Sequence, residues 1–354
     1  LNGSRANEVL ERARRAQAFS AVSAEVGRSS GALWIYAGGT LGFAPHSPAV
    51  SHDTIFDLAS LTKVLSATAV ALQLVSRGRL DLESPVAAVV PDWTGADRAA
   101  VRVRDLLEHS SGLPAYRDYF RRFTQRDGLV TAAVSEPLEY APRTKSVYSD
   151  LGFIVLSVAL ESTGGGSLDS QFNEWRARVG IDEPLSYRPP LEWAKRTAMT
   201  EADEWRGRVL QGEVHDENAA VLGGVAAHAG LFGTVAAVGS AARWWLDRLR
   251  GFDDEATDIP ASLARAFAER STVAGSSRAL GWDTMLPTSS CGTRMSARAI
   301  GHTGFTGTSL WLDPDLDAYF VLLTNRVHPT RKNEAIQPVR RAFHDAAVAD
   351  LQQR

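Results

Sequence analysis

The stretch Phe56-Asp57-Leu58-Ala59-Ser60-Leu61-Thr62-Lys63 runs into Val64-Leu65-Ser66-Ala67-Thr68-Ala69-Val70-Ala71-Leu72-Gln73-Leu74-Val75. Apolar positions Leu61, Val64, Leu65, Thr68, Ala69, Leu72 and Val75 recur at intervals of three and four, which predicts a helix. Val70, Ala71 and Leu74 spread the apolar cover around most of its circumference, so the helix runs through the middle of the molecule. Such a helix has room for Lys63 only at its first turn, beside a cleft. Ser60 and Lys63, three apart, share one face and can exchange a proton directly or through one hydroxyl. Ser60 also stands where the unpaired amides of a helix start stabilise developing negative charge. A partly desolvated amine loses some preference for its charged form and can then act as base for a serine nucleophile. The same four residues also suit a helix cap followed by a surface lysine, and the rest of the chain has to decide.

The chain has 354 residues, enough for two domains or one large core with an inserted lobe. Apolar residues make up 44% and charged residues 22%, with a net charge of -3 and both signs interspersed, a balance that points away from nucleic-acid partners and anionic membrane surfaces. Cys291 is the single cysteine, which excludes an intramolecular disulfide and a thiolate-rich metal site. No apolar run reaches the roughly 18 residues of a spanning helix. The sequence starts at Leu1 rather than methionine, so a periplasmic, extracellular or cytoplasmic setting stays open, with any signal peptide absent from this chain. Oligomeric state is equally open.

Towards the amino end, Ala6 to Val26 is expected to form a helix packed by one side. Gly31 to Ala37 reads as a strand, Gly38-Gly39 as its turn and Thr40 to Ala44 as its hairpin partner. Beyond the central helix, Val103 to Glu108 reads as a short helix ending at His109-Ser110-Ser111-Gly112. His109 is a candidate base for Ser60, although a histidine at that place more often tethers a loop. Tyr116 to Val130 mixes aromatic residues with arginines and reads as a cleft rim or lid, and Val130 to Leu138 as helical. An extended Tyr140 to Lys145 leads to Tyr148-Ser149-Asp150, which stands before a second strongly apolar helix, Leu151 to Leu160. Polar groups placed just ahead of a buried helix repeat the arrangement at Ser60.

The glycines of Ser162 to Ser167 lack the spacing and the following lysine of a phosphate loop, and no organic cofactor is implied. Glu201 to Val209 is charged and surface-like. His215-Asp216-Glu217-Asn218 suggests a metal site at first sight. Without a second His/Glu pair at ligand spacing, it is taken as a hydrogen-bonded loop near the cleft. His228-Ala229-Gly230-Leu231-Phe232-Gly233 is a glycine-laced turn permitting close backbone approach. Helices are expected at Ala236 to Leu249 and Pro260 to Ala268. The last third shows three neighbouring antiparallel strands, around Ala299 to Gly307, Thr308 to Asp313 and Leu316 to Asn325, before an amphipathic helix from Arg331 to Leu351. This pattern predicts an α+β fold. An antiparallel sheet flanked by N- and C-terminal helices is built from residues 1–80 and 222–354, and a mostly helical lobe from 81–221 forms the other wall of a cleft.

Ser60-Leu61-Thr62-Lys63, Tyr148-Ser149-Asp150 and His302-Thr303-Gly304, in that order, resemble the motifs of the serine β-lactamase and penicillin-binding protein superfamily, in particular its class C-like branch of esterases and DD-peptidases. The resemblance extends from the first hairpin to the final helix and includes Leu106 to Leu113. It implies a β-lactamase/transpeptidase-like fold and an acyl-enzyme on Ser60, with Lys63 and Tyr148 sharing the roles of general base and leaving-group acid. The backbone amides of Ser60 and Phe305 would form an oxyanion hole, and Asp150, His302, Thr303 and Gly304 would bind substrate. No metal or cofactor is required.

Two positions depart from the family pattern. His302 stands where lysine is usual, so a permanent cationic anchor for a substrate carboxylate is missing from the motif. Asp150 stands where asparagine is common; it favours the ammonium form of Lys63 and should repel an anionic acyl group. A preference for neutral esters or amides, or for a cationic group reaching Asp150, is therefore expected. The function expected is a serine hydrolase acting on a small-molecule ester, amide or peptide, most nearly a carboxylesterase. A D-alanyl-D-alanine carboxypeptidase or weak β-lactamase is the alternative within that chemistry, and a non-catalytic peptidoglycan-binding or ligand-binding protein the alternative outside it. Gly212 to Phe232 also resembles a segment of uncharacterised β-lactamase-related proteins, a likeness that names no substrate.

Overall fold

In the computed structural model, which describes residues 2–254 and 256–353, both ends of the chain build one antiparallel sheet of six strands. Their order across the sheet is Gly31–Gly39, Ala21–Arg28, Ala318–Thr324, Ser309–Asp313, Ile300–Thr303 and Asp283–Thr284. Successive side chains of a strand point to opposite faces, and here both faces are covered. Val22, Ala24, Val26, Trp311, Phe320 and Leu322 pack with Leu10 of the helix Ser4–Arg15 and Phe343 and Val348 of the helix Ile336–Leu351. Leu310, Leu312, Val321 and Leu323 point the other way, into a larger apolar cluster shared with the helix Val235–Arg250 and the segment after Ser60.

The helix expected after Ser60 runs from Leu61 to Ser76, and Lys63 to Leu72 are all fully buried. It packs against the helices Asp150–Gly164, Leu168–Arg178 and Ala261–Ala268, which explains its nearly all-round apolar sequence. Over Lys63–Ala67 it opens into a wide π turn in which Thr68 N–H donates to the Lys63 carbonyl, five residues back. A small antiparallel sheet of Phe56–Asp57, Leu231–Gly233 and Leu185–Tyr187 holds the chain just ahead of Ser60. Ser149 caps the helix Asp150–Gly164, accepting from Gly152 N–H at 3.0 Å. Among the described residues no single helix is long and apolar enough to cross a membrane.

Several expected elements differ. The N-terminal helix stops at Arg15, and Ala21–Arg28 is a strand; it pairs with Gly31–Gly39, so Gly38-Gly39 belongs to the strand and Thr40 to Ala44 is not its partner. Helix Arg126–Ser135 starts earlier than expected. Tyr140 to Lys145 is turn rather than extended chain, and the last helix begins at Ile336, not Arg331.

Candidate active site

Ser60 sits at the head of the buried helix in a strained turn: Ala59 before it has φ 47°, a conformation unusual for a residue with a side chain. The turn is held from two sides. Asp57 Oδ1 accepts Ala59 N–H at 2.8 Å, and the Asp57 and Leu58 carbonyls accept the hydroxyls of Thr306 and Thr308 at 2.8 and 3.0 Å. These stitches bring the His302-Thr303-Gly304 strand end against Ser60. Gly304 has to be glycine here, since a Cβ would lie 2.6 Å from the Leu58 carbonyl oxygen and 2.1 Å from Thr308 Oγ1. Neither the Ser60 nor the Phe305 amide donates within the fold among the described residues, which leaves both free for an incoming oxygen.

Lys63 Nζ donates to Ser60 Oγ at 3.0 Å, Asp150 Oδ1 at 2.7 Å and the His228 carbonyl at 3.1 Å. An ammonium has three hydrogens, and all are used. Burial alone would drive Lys63 towards the neutral form, but the charge of Asp150 and the Tyr148 phenol outweigh it and hold the amine above its ordinary value. The neutral amine that desolvation suggests is therefore not the resting state; Asp150 reverses it. Tyr148 lies 4.7 Å from Lys63 Nζ, measured to its ring centre. Burial raises the phenol's pKa, with the charge of Lys63 opposing it and that of Asp150 adding to it. Tyr148 is thus a neutral phenol at rest, beside the serine.

His109 does not reach Ser60 as a base. Its Nδ1 accepts Ser149 N–H at 3.0 Å, and its ring packs 4.6 Å from that of Tyr148 and 5.0 Å from that of Phe153. It tethers the loop and backs the tyrosine. Burial and the nearby Arg278 and Lys63 charges keep it uncharged, well below the usual histidine range. His302 is held neutral by burial and the same two cations; its Nδ1 faces the Thr303 carbonyl at 2.8 Å, while Nε2 is buried without a partner among the described residues.

The His215 to Asn218 segment disperses its side chains rather than gathering them around an ion. His215 pairs with Glu201 at 2.9 Å and stacks on Phe305, Asp216 pairs with His228 at 3.0 Å, and Glu217 meets Arg331 at 2.6 Å. Asn218 accepts from Phe120 N–H at 3.0 Å and donates to the Arg117 carbonyl at 2.9 Å, fixing the rim. Glu201, expected at the surface, is buried. Burial alone would raise its carboxyl, but hydrogen bonds from His215 and Arg331 bring it down to about 2.

A cavity of about 850 Å³ opens over Ser60, Tyr148, Asp150, His302, Thr303 and Phe305, and its wall includes Arg278. No motif pointed to Arg278. Its guanidinium centre lies 5.1 Å from the Tyr148 ring, and its nearest carboxylate, Asp283, is 4.0 Å away. Among the described residues it donates no side-chain hydrogen bond. A cation absent from the strand motif is thus present from outside it.

Residues 15–343 match the sequence profile of the Beta-lactamase family. A Bacillus subtilis (strain 168) protein named N-acetylmuramyl-L-alanine amidase is 31% identical over 315 residues, 78% of this chain and 68% of its own. An Escherichia coli (strain K12) protein named putative D-alanyl-D-alanine carboxypeptidase is 30% identical over 308 residues, covering 78% of this chain and 70% of its own. The structure of EstCE1, a hydrolase with promiscuous acyltransferase activity, superposes with a TM-score of 0.75 at 19% identity, covering 97% of both chains.

Proposed function

Since the chain belongs to the Beta-lactamase family and is a serine hydrolase in kind, we propose that it cleaves an ester or amide of a small molecule or peptide through an acyl-enzyme on Ser60. The observation that carries this is the convergence of the Ser60 hydroxyl, the three-point cradle of Lys63 and the neutral phenol of Tyr148, beneath two unpaired amides.

Ser60 Oγ attacks the carbonyl carbon while its proton passes to Tyr148 Oη, and the phenol's own proton moves to the departing oxygen or nitrogen. Lys63 stays an ammonium, its charge stabilising the alkoxide character of Ser60 and the phenolate character of Tyr148 during the transfer. The carbonyl oxygen takes the negative charge against the Ser60 and Phe305 amides. Water then enters by the reverse relay, giving its proton to Tyr148 as it attacks the acyl group, and Ser60 recovers its own.

Carboxylesterase-like turnover is the activity expected to be measured most readily. A second reading, a D-alanyl-D-alanine carboxypeptidase, is favoured by Arg278, whose guanidinium, held only by a 4.0 Å approach to Asp283 and by the Tyr148 ring, suits a substrate carboxylate where His302 is neutral. Asp150 lines the same cavity, and its pairing with Lys63 at 2.7 Å offsets part of the charge expected to repel that carboxylate. Fluorophosphonate labelling followed by mass spectrometry should modify the native protein and leave Ser60→Ala unlabelled. Equal labelling of the two would remove the enzyme assignment in favour of a ligand-binding protein. With matched neutral and carboxylate-bearing p-nitrophenyl esters, Arg278→Ala should raise KM for the anionic ester by about tenfold or more, the scale of one charged hydrogen bond, and leave the neutral ester nearly unchanged. An equal effect on both esters would return the specificity to the neutral class.

A further inference from the structure

The His228 carbonyl occupies the third hydrogen of Lys63, and nothing in the three motifs explains why it should point there. Its loop is fastened at several places to the helix that carries Lys63. Leu231 N–H donates to Thr62 Oγ1 at 3.1 Å, and the Tyr187 hydroxyl bridges the Ala226 carbonyl at 3.2 Å and Ser66 Oγ at 2.9 Å. Ala227 N–H reaches Ser157 Oγ at 2.8 Å on the second buried helix. Gly230, at φ 119°, lets the loop fold back on itself; a Cβ there would lie 2.4 Å from the Gly224 carbonyl oxygen. All of these hold the flanks. Apart from the carbonyl bond to Lys63, among the described residues His228 itself is fixed by one bond, from its buried ring to Asp216 Oδ1 at 3.0 Å, and its Nδ1 has no partner there.

Asp216 is in turn fixed from below. The same oxygen accepts Ala219 N–H at 2.7 Å, and the neighbouring His215 backbone N–H is held by Asp57 Oδ2 at 2.7 Å, two residues from Ala59. Burial would raise the Asp216 carboxyl, but the charge and hydrogen bond of His228 and the Ala219 amide overcome it, leaving a carboxylate well below its usual range. We infer that Asp216 and His228 form a positioning pair for Lys63. The carboxylate fixes the imidazole, the imidazole fixes the plane of its own peptide, and that carbonyl stops the ammonium from rotating. With Asp150 and the His228 carbonyl each holding one N–H, the remaining one can point only at Ser60 Oγ. Neither Asp216 nor His228 takes part in the chemistry; each acts through Lys63.

The inference rests on the Ser60 acyl-enzyme reading, and Lys63→Ala serves as the control for that reading, since loss of all turnover there is required before the pair can be judged. With a neutral p-nitrophenyl ester, Asp216→Ala should lower kcat by about 10- to 100-fold, the range of a misplaced catalytic group, with KM within about twofold. The alkaline limb of its kcat profile should move to lower pH, because an ammonium that loses an acceptor gives up its proton more easily. Asp216→Asn retains an oxygen for both the His228 ring and the Ala219 amide, and should restore most of kcat. Should Asp216→Ala fail to fold, judged by circular dichroism and Tm, His228→Leu, which leaves Asp216 without a ring donor, replaces it in the same assay with the same expected loss. Equal kcat losses in the Asn and Ala variants at unchanged Tm, a loss carried by KM, or an alkaline limb that does not move would each overturn the pairing.

Discussion

At the scale of single residues, Asp150 decides which proton moves. An asparagine in its place would accept the same N–H from Lys63 but bring no charge, and burial, the largest influence on that amine, would then prevail. The sign follows: the folded pKa of Lys63 is raised, so its charged form and its contribution to stability persist until pH climbs through that value. Asp150→Asn lowers the value and brings the loss to lower pH. The alkaline limb of kcat/KM should therefore fall by about 1 to 3 units, the usual influence of one close opposite charge. The measurement is a pH profile with a neutral ester, paired with Tm to separate catalysis from folding. Higher activity at pH 7 in Asp150→Asn would mean that the neutral amine is the working form and that the ammonium-based relay is wrong. The proposed grouping of Ser60, Lys63 and Tyr148 was open to a reader of the chain through the order of the three motifs and the family they resemble; apolar spacing by itself offered only Ser60 and Lys63 at the head of a buried helix. Asp150 also pointed to the ammonium form of Lys63; what the chain could not show is that its charge outweighs burial, which depends on a 2.7 Å contact between residues 87 apart.

At the scale of elements, the Ser60 turn and the His302-Thr303-Gly304 strand end work as one piece. Gly304→Ala forces a methyl group towards the Leu58 carbonyl and Thr308 Oγ1, and because one obstacle is backbone the turn has to move. A shift approaching 1 Å between the Ser60 and Phe305 amides should cost about 100-fold in kcat. Destabilisation should stay within about 1–3 kcal/mol, the range for overpacking, and is read by urea unfolding. Near-native kcat would show that the two amides are not jointly positioned through this contact. The elements themselves were unequally visible. Helices Asp150–Gly164 and Val235–Arg250 fell close to their expected places because apolar spacing and caps coincide. Ala21–Arg28 did not: seven of its eight residues are buried, since both faces of the sheet are covered, so it lacks the polar alternation that separates a strand from a helix. Losing that strand also hid the true partner of Gly31–Gly39.

At the scale of the whole molecule, the sheet and the helix Val235–Arg250 enclose an acid that the cleft does not use. Glu25 is 1% exposed, accepts the Tyr319 hydroxyl at 2.5 Å and lies 3.6 Å from Arg243. Gly239 makes room for it, since a Cβ there would be 2.1 Å from Glu25 Oε1. Burial dominates over Tyr319 and Arg243 and raises the carboxyl from 4.5 to about 7. A raised carboxylate pKa means the folded chain holds a proton that the unfolded chain has released, so this group lowers stability as pH rises from about 4.5 through 7. A rise from 4.5 to about 7 corresponds to about 3 kcal/mol. Glu25→Gln keeps an acceptor for Tyr319 and cannot ionise, so the unfolding free energy of the native protein should fall relative to that variant by up to this amount between pH 4.5 and 8. Urea unfolding at several pH values measures the difference, and parallel curves for the two proteins would place Glu25 as a carboxylate at every pH in the window. Because Glu25 sits on the sheet rather than in the cleft, kcat at pH 6.5 should be the same for both, which separates a cost to folding from any change at Ser60.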